Sequence, residues 1–132
     1  MSADAEARLA ALLAMLRREG RQRSGLDSTL VPVDESAAYR VAARVADALG
    51  WPIAGWKIAA NNPEMQRRLR ASQPIYGRVF SSFVAESPAE IPHAALLHPL
   101  VECEYVVRLG ADLPPRGVPY TEAEVAEHVA TI

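Results

Sequence analysis

"PIAGWKIAANNPEMQRRLR", residues 52–70, decides the fold class. Its first half is short, apolar and almost uncharged, with Ile53, Trp56 and Ile58 suited to a strand. Its second half opens on Asn62, a good helix cap, with Pro63 in the first turn, where a missing N–H costs nothing. A strand followed closely by a helix, in a chain that begins with helical patterning, predicts an α+β protein.

Working upstream, Gly50 and Pro52 stop a helix that starts at Asp34 and runs to about Leu49, with Ala38, Val41, Ala42, Val45 and Leu49 as its apolar stripe. An earlier helix is predicted over residues 4–19, where Leu9, Leu12, Leu13 and Leu16 recur at i, i+3, i+4 and i+7. Arg17 and Arg18 suit the negative end of its dipole, and Gly20 is its stop. The run "RREGRQRSGLDSTL", residues 17–30, is too polar and Gly-rich for a core element, and its four arginines read as a solvated helix end.

Downstream, residues 71–95 are rich in Ser and Pro and predict turns, with a short strand around "GRVFSSFV", residues 77–84. "LLHPLVECEYVVRLG", residues 96–110, predicts a second strand region bent at Pro99. After a loop, Thr121 and Glu124 form a Thr-x-x-Glu capping box opening a last helix. Val125, Ala126, Val129 and Ile132 would carry its apolar face to the final residue, the pattern expected of a fragment. The expected division is a helical region over residues 1–52 and an α+β region over residues 53–132, the helices packed on the start of a mixed sheet.

The 132 residues are half hydrophobic and 23% charged, which suits one globular domain with a modest core. A net charge of −2 makes no electrostatic case for nucleic acid or an anionic membrane surface. One cysteine, Cys103, excludes an internal disulfide and reads as a small core side chain. No stretch is long enough to span a bilayer, and the amino terminus lacks the apolar core of a signal peptide, so a cytoplasmic location is expected.

Two places suggest chemistry. In a strand, Glu102 and Glu104 share a face, and their repulsion at roughly 7 Å is about 2 kcal/mol at an effective dielectric near 20. Water, a basic partner, a shared proton or a cation would offset it. Carboxylates at i and i+2 present hard oxygens suited to Mg²⁺ or Mn²⁺. Lys57, the one charge in its strand, either snorkels to the surface or serves as a proton donor or counter-charge. Gly55, two residues earlier on the same face, leaves room for a ligand. His93, His98 and His128 form no metal spacing, and Trp51 and Trp56 read as core or interface anchors.

"GWKIAANNPEMQRRLRASQPIYGRVF" with "IPHAALLHPLVECEYVVRLGADLP" resembles the 2-keto-4-pentenoate hydratase family, which includes 4-oxalocrotonate decarboxylases and belongs to the fumarylacetoacetate hydrolase superfamily. The shared blocks run from about Val33 onward: Gly-Trp-Lys-Ile, a Met-Gln helix, Pro-x-Tyr-Gly and the Glu-x-Glu strand. The resemblance implies a fumarylacetoacetate hydrolase-like fold, of which this chain would be the amino-terminal half; a chain cut in mid-fold exposes apolar surface, so a homo-oligomer is expected. It implies Glu102 and Glu104 as two of three acidic ligands for Mg²⁺ or Mn²⁺, Lys57 as the active-site lysine, and Gly55, Asn61 and Asn62 beside the substrate. The implied substrate is a small 2-hydroxy-dienoate or its 2-oxo tautomer from aromatic-ring catabolism, to which water is added. Ala59, Ala60, Asn61 and Asn62 depart from the family's Gly-x-Thr-Ser, and Ile75 stands where several members carry an acid. With the third ligand missing, the chain alone is expected to be a poor catalyst. The competing expectations are a 2-oxo acid decarboxylase of the same family and a non-catalytic oligomerising fragment.

Overall fold

Ser2 caps helix α1 (Ala3–Arg18), its hydroxyl accepting a hydrogen bond from the Ala5 N–H. Asp34 does the same for helix α2 (Glu35–Leu49) at the Ala37 N–H, 2.7 Å away. These caps satisfy amide donors that a helix start leaves without an intrahelical acceptor. Gly50 ends α2 in the left-handed region at φ 64°, a conformation that costs a side-chain-bearing residue more than it costs glycine. The computed structural model describes Met1–Ile132 and divides into two compact units, Met1–Leu97 and His98–Ile132.

In the first unit α1 and α2 pack through small residues. Ala10 and Ala14 are buried on α1, and Ala37 and Ala46 on α2, with Leu9, Leu30, Val41, Leu49 and Phe80 filling the remaining core. The face of α1 is thus rotated from the leucine stripe: Leu9 is 2% exposed, whereas Leu13 is 36% exposed. On α2 likewise, Ala37 and Ala46 are buried where Ala38 and Ala42 were expected. Alanine faces let helices approach closely, and a leucine count by itself does not register them. Glu6 falls on this contact face and is 4% exposed. The Arg40 guanidinium donates to its Oε1 through Nε at 3.0 Å and Nη2 at 2.7 Å, and Arg44 lies 3.7 Å from Oε2. These partners offset the cost of burying the carboxylate and hold its pKa below the ordinary value.

The chain leaves α2 into strand β1 (Ile53–Ala59), turns, forms helix α3 (Pro63–Leu69) and returns as strand β2 (Ile75–Phe80). β1 and β2 pair antiparallel, with a register irregularity between Ile53 and Gly55. Phe80 places the hairpin in the helical core, meeting Ala14, Ala46 and Leu49 and standing edge-on to Trp51 at 5.5 Å between ring centroids. Tyr39 of α2 holds the hairpin a second time. Its ring stacks on Tyr76 at 4.3 Å, and its hydroxyl accepts from the Tyr76 N–H.

The second unit contains strand β3 (Arg108–Leu109), helix α4 (Glu122–Glu127) and strand β4 (Val129–Thr131), with β3 and β4 antiparallel. The Thr121–Glu124 capping box forms as expected. Arg116 clamps Glu124 with two bonds of 2.8 and 2.7 Å, donates to the Val118 and Pro119 carbonyls, and lies over the Tyr120 ring. Gly110 is required by a close approach: its N–H donates to the His128 carbonyl, and a Cβ there would meet the Ala130 Cβ at 3.1 Å.

Several expectations change. The sheets are two-stranded and antiparallel rather than the start of one mixed sheet, although the α+β class stands. The strand expected around residues 77–84 lies earlier, at Ile75–Phe80, and gives way to a 3-10 turn at Ser81–Phe83. The region over residues 96–110 shrinks to Arg108–Leu109, because apolar β-prone composition makes a strand only where a neighbouring strand pairs with it. Val101 and Tyr105 are 90% and 92% exposed, and Cys103 is exposed rather than a core side chain. The last helix does not reach Ile132. It stops at Glu127, where the His128 ring Nδ1 meets the Glu124 carbonyl at 2.7 Å, and the β-branched Val129 and Thr131 belong to β4.

Candidate active site

Lys57 is the fifth of the seven residues of β1, half-buried, directly across the ladder from Gly77. Gly55 and Ala59 flank it along the strand, paired with Val79 and Ile75. Directly opposed residues of an antiparallel pair project to one face, so the lysine face of the hairpin carries Gly55, Lys57, Ala59, Ile75, Gly77 and Val79. The opposite face is aromatic: the Arg78 guanidinium lies 5.0 Å from the Trp56 ring centroid, and Trp56 meets Tyr76 edge-on. One residue of strand alternation therefore separates a small-residue lysine face from a bulky one.

The turn after the lysine strand is held tightly. Ala60 is 3% exposed and adopts φ 55°, in the left-handed region that alanine normally avoids. The Gln66 side-chain amide donates to the Ala60 carbonyl at 2.9 Å, fixing the turn from the far side of α3's first turns. Asn61 and Asn62 are exposed in this turn. The Asn62 carboxamide oxygen accepts from the Met65 N–H at 3.0 Å as the cap of α3, and its amide nitrogen lies 3.5 Å from the Asn61 oxygen. Asn62 thus has a helix-capping job, which its place before Pro63 already announced.

The structure brings Gly55, Lys57, Asn61 and Asn62 together on one strand and its following turn, in the Met1–Leu97 unit. Glu102 and Glu104 lie in the other unit, exposed, in residues 100–107 ahead of β3. The strand alternation that would have put both carboxylates on one face is absent there. No group of three or more His, Cys, Asp or Glu side chains is gathered anywhere in the chain. Two residues lie in motifs the sequence offers, the Met-Gln helix and Pro-x-Tyr-Gly, without their roles being legible there. Gly77 becomes visible as the lysine's partner only through strand register, and Gln66 only through its bond to the left-handed turn.

An α+β chain with its one lysine centred on a hairpin is the class that fold and site define. Over most of its length the sequence is similar to 2-keto-4-pentenoate hydratases. It is 31% identical over 110 residues, 81% of this chain, to the 2-keto-4-pentenoate hydratase of Burkholderia vietnamiensis, covering 42% of that relative. It is 29% identical over 116 residues, 86% of this chain, to 2-keto-4-pentenoate hydratases 1 and 2 of Dechloromonas aromatica, covering 44% of each. The chain therefore spans less than half the length of these curated relatives. No family model and no solved structure matches it. No helix is long and apolar enough to cross a membrane.

Proposed function

We propose that this chain carries part of the site of a metal-dependent hydro-lyase, which adds water to a small 2-hydroxy-dienoate, and part of a fumarylacetoacetate hydrolase-like fold. The observation that carries this reading is the relatedness to hydratases across more than four-fifths of the chain, in alignments long enough to take in the lysine hairpin. In this reading the Lys57 ammonium pairs with the carboxylate end of the substrate, a charge-assisted contact that orients it. As the dienol ketonises, its 2-hydroxyl proton leaves to solvent and the ammonium gives a proton to the chain carbon, the resulting amine taking one back from water; water then adds across the remaining alkene at its far carbon. Asn61, at the exposed turn after the lysine strand, and Gly55 border the substrate.

Glu102 and Glu104 offer carboxylate oxygens, the donor type that Mg²⁺ and Mn²⁺ take, and these ions keep several waters when few protein ligands are present. The donor chemistry fits, and these two residues would hold the ion. When bound, a divalent cation supplies Lewis-acid stabilisation of the negative charge on the substrate's 2-oxygen. The test is consumption of 2-hydroxypenta-2,4-dienoate, followed by its absorbance, with Mn²⁺ binding measured in parallel by titration calorimetry. Weak turnover that disappears in Lys57→Met, with weaker Mn²⁺ binding in Glu102→Gln and Glu104→Gln, is expected. Unchanged Mn²⁺ affinity in both glutamate variants, together with no consumption of the dienoate, overturns the reading.

A further inference from the structure

Lys57 is the only lysine among the fourteen lysines and arginines, and it sits across the ladder from Gly77, a glycine that the structure does not otherwise require. Glycine in a strand interior costs chain entropy and forgoes side-chain packing, so it normally marks a positive φ, a bulge or a close approach of backbone. None of these holds at Gly77, whereas Gly55 adjoins the register irregularity after Ile53. The glycines with positive φ are Gly20, Gly25 and Gly50, not Gly55 or Gly77. A Cβ built on Gly55 or Gly77 would meet no heavy atom within 4 Å. Gly110 in the other unit shows the contrast, its missing Cβ being demanded by Ala130.

A side chain at Gly77 would project from the same face as Lys57, with Cβ atoms roughly 5 Å apart, and would run alongside the lysine stem. We propose that Gly77 is a specificity-determining residue: with Gly55 it keeps the space beside Lys57 clear for the carboxylate end of a short, unbranched 2-oxo acid. This inference rests on the hydro-lyase reading above. It adds that the substrate's charged end enters over the β1–β2 hairpin, and that its bulk there is limited by the residue opposite the lysine. A side chain at position 77 takes up the space the ligand would use, and its Cβ meets no heavy atom within 4 Å, so the first carbon is accepted without displacing a neighbour.

Having one lysine makes the test direct. The full chain, with Mn²⁺ present, is treated with limiting acetic anhydride, and acetylation of Lys57 relative to the Met1 amine is read by peptide mass spectrometry. The probe is 2-oxopentanoate, a saturated acid with no alkene to which water could add. The expected result is that 2-oxopentanoate protects Lys57 in the parent chain. In Gly77→Val the half-protecting concentration rises by roughly ten-fold or more, and in Gly77→Ala by about three-fold. Both variants should melt no lower than the parent, and should Val prevent folding, the Ala variant carries the comparison. Protection at unchanged concentrations in Gly77→Val, or in Gly77→Ala where that is the folded variant, overturns the role of the glycine and leaves the hydro-lyase reading standing. Absence of protection in the parent chain overturns both.

Discussion

Leu9→Ala tests whether the α1–α2 contact is organised as the structure has it. Leu9 is 2% exposed and packs with Ala10, Leu30 and Val41, bordered by Met1, Ala5, Leu12 and Val45. Truncation removes three carbons from this cluster, about 2.4 kcal/mol at ~0.8 kcal/mol per buried methylene. A cavity contribution adds to this, but the bordering residues are only partly buried and can relax inward, so the total should lie near 3 kcal/mol, toward the low end for such changes. For a unit of this size that corresponds to a fall in Tm of about 10–20 °C. Leu13→Ala on the same helix is the internal control: its side chain is 36% exposed, leaves little cavity, and should cost about 1 kcal/mol. Thermal and urea unfolding, followed by far-UV circular dichroism, measure both. Equal losses, or a larger loss at Leu13, would mean that the leucine stripe faces the core and that the alanine-lined contact is wrong.

Three further outcomes are expected. Gly50→Ala forces alanine into φ 64° and should cost about 1 kcal/mol, read as a lower urea midpoint with an unchanged slope. Glu124 is held at about 2, first by the bidentate Arg116 and then by bonds from Thr121, below its ordinary 4.5. A depressed carboxylate stabilises the folded form fully above its unfolded value and loses that contribution as pH falls through the folded one. The α4 cap should therefore weaken between pH 4.5 and 2, and Arg116→Ala should move the Glu124 titration toward 4.5 in carboxyl NMR. Tyr39→Phe removes the acceptor for the Tyr76 N–H but keeps the ring stack, so it should cost under about 1 kcal/mol in thermal unfolding, and Tyr39→Ala clearly more.

What sequence disclosed best was local. Asp34, Asn62 with Pro63, Gly50 and the Thr121–Glu124 box act within a few residues of themselves, and each marks a real boundary. Longer-range features were harder to see. The buried face of α1 is set by Ala10 and Ala14 meeting α2, and that choice depends on a partner helix rather than on the period of leucine. Glu6 is a first-turn acid by position, and only Arg40, thirty-four positions away, makes its burial tolerable. Residues 100–107 have strand composition without strand pairing, and Val129 and Thr131 left the last helix for a partner at Arg108 and Leu109. At the candidate site Lys57 and Gly55 were legible because they interrupt an apolar run. Gly77 was not, because its meaning comes from register.

The open stretch at residues 100–107 also shapes how the protein behaves in concentrated solution. "LVECEYVV" has no proline, is rich in β-branched and aromatic residues, and leaves Leu100, Val101, Tyr105 and Val106 almost wholly in water. Such a segment can template intermolecular cross-β stacking, and acidic residues set inside it act as gatekeepers through mutual repulsion between neighbouring chains. Glu102 and Glu104 are spaced to do this. Substitutions that neutralise both carboxylates should then favour fibril growth from this segment.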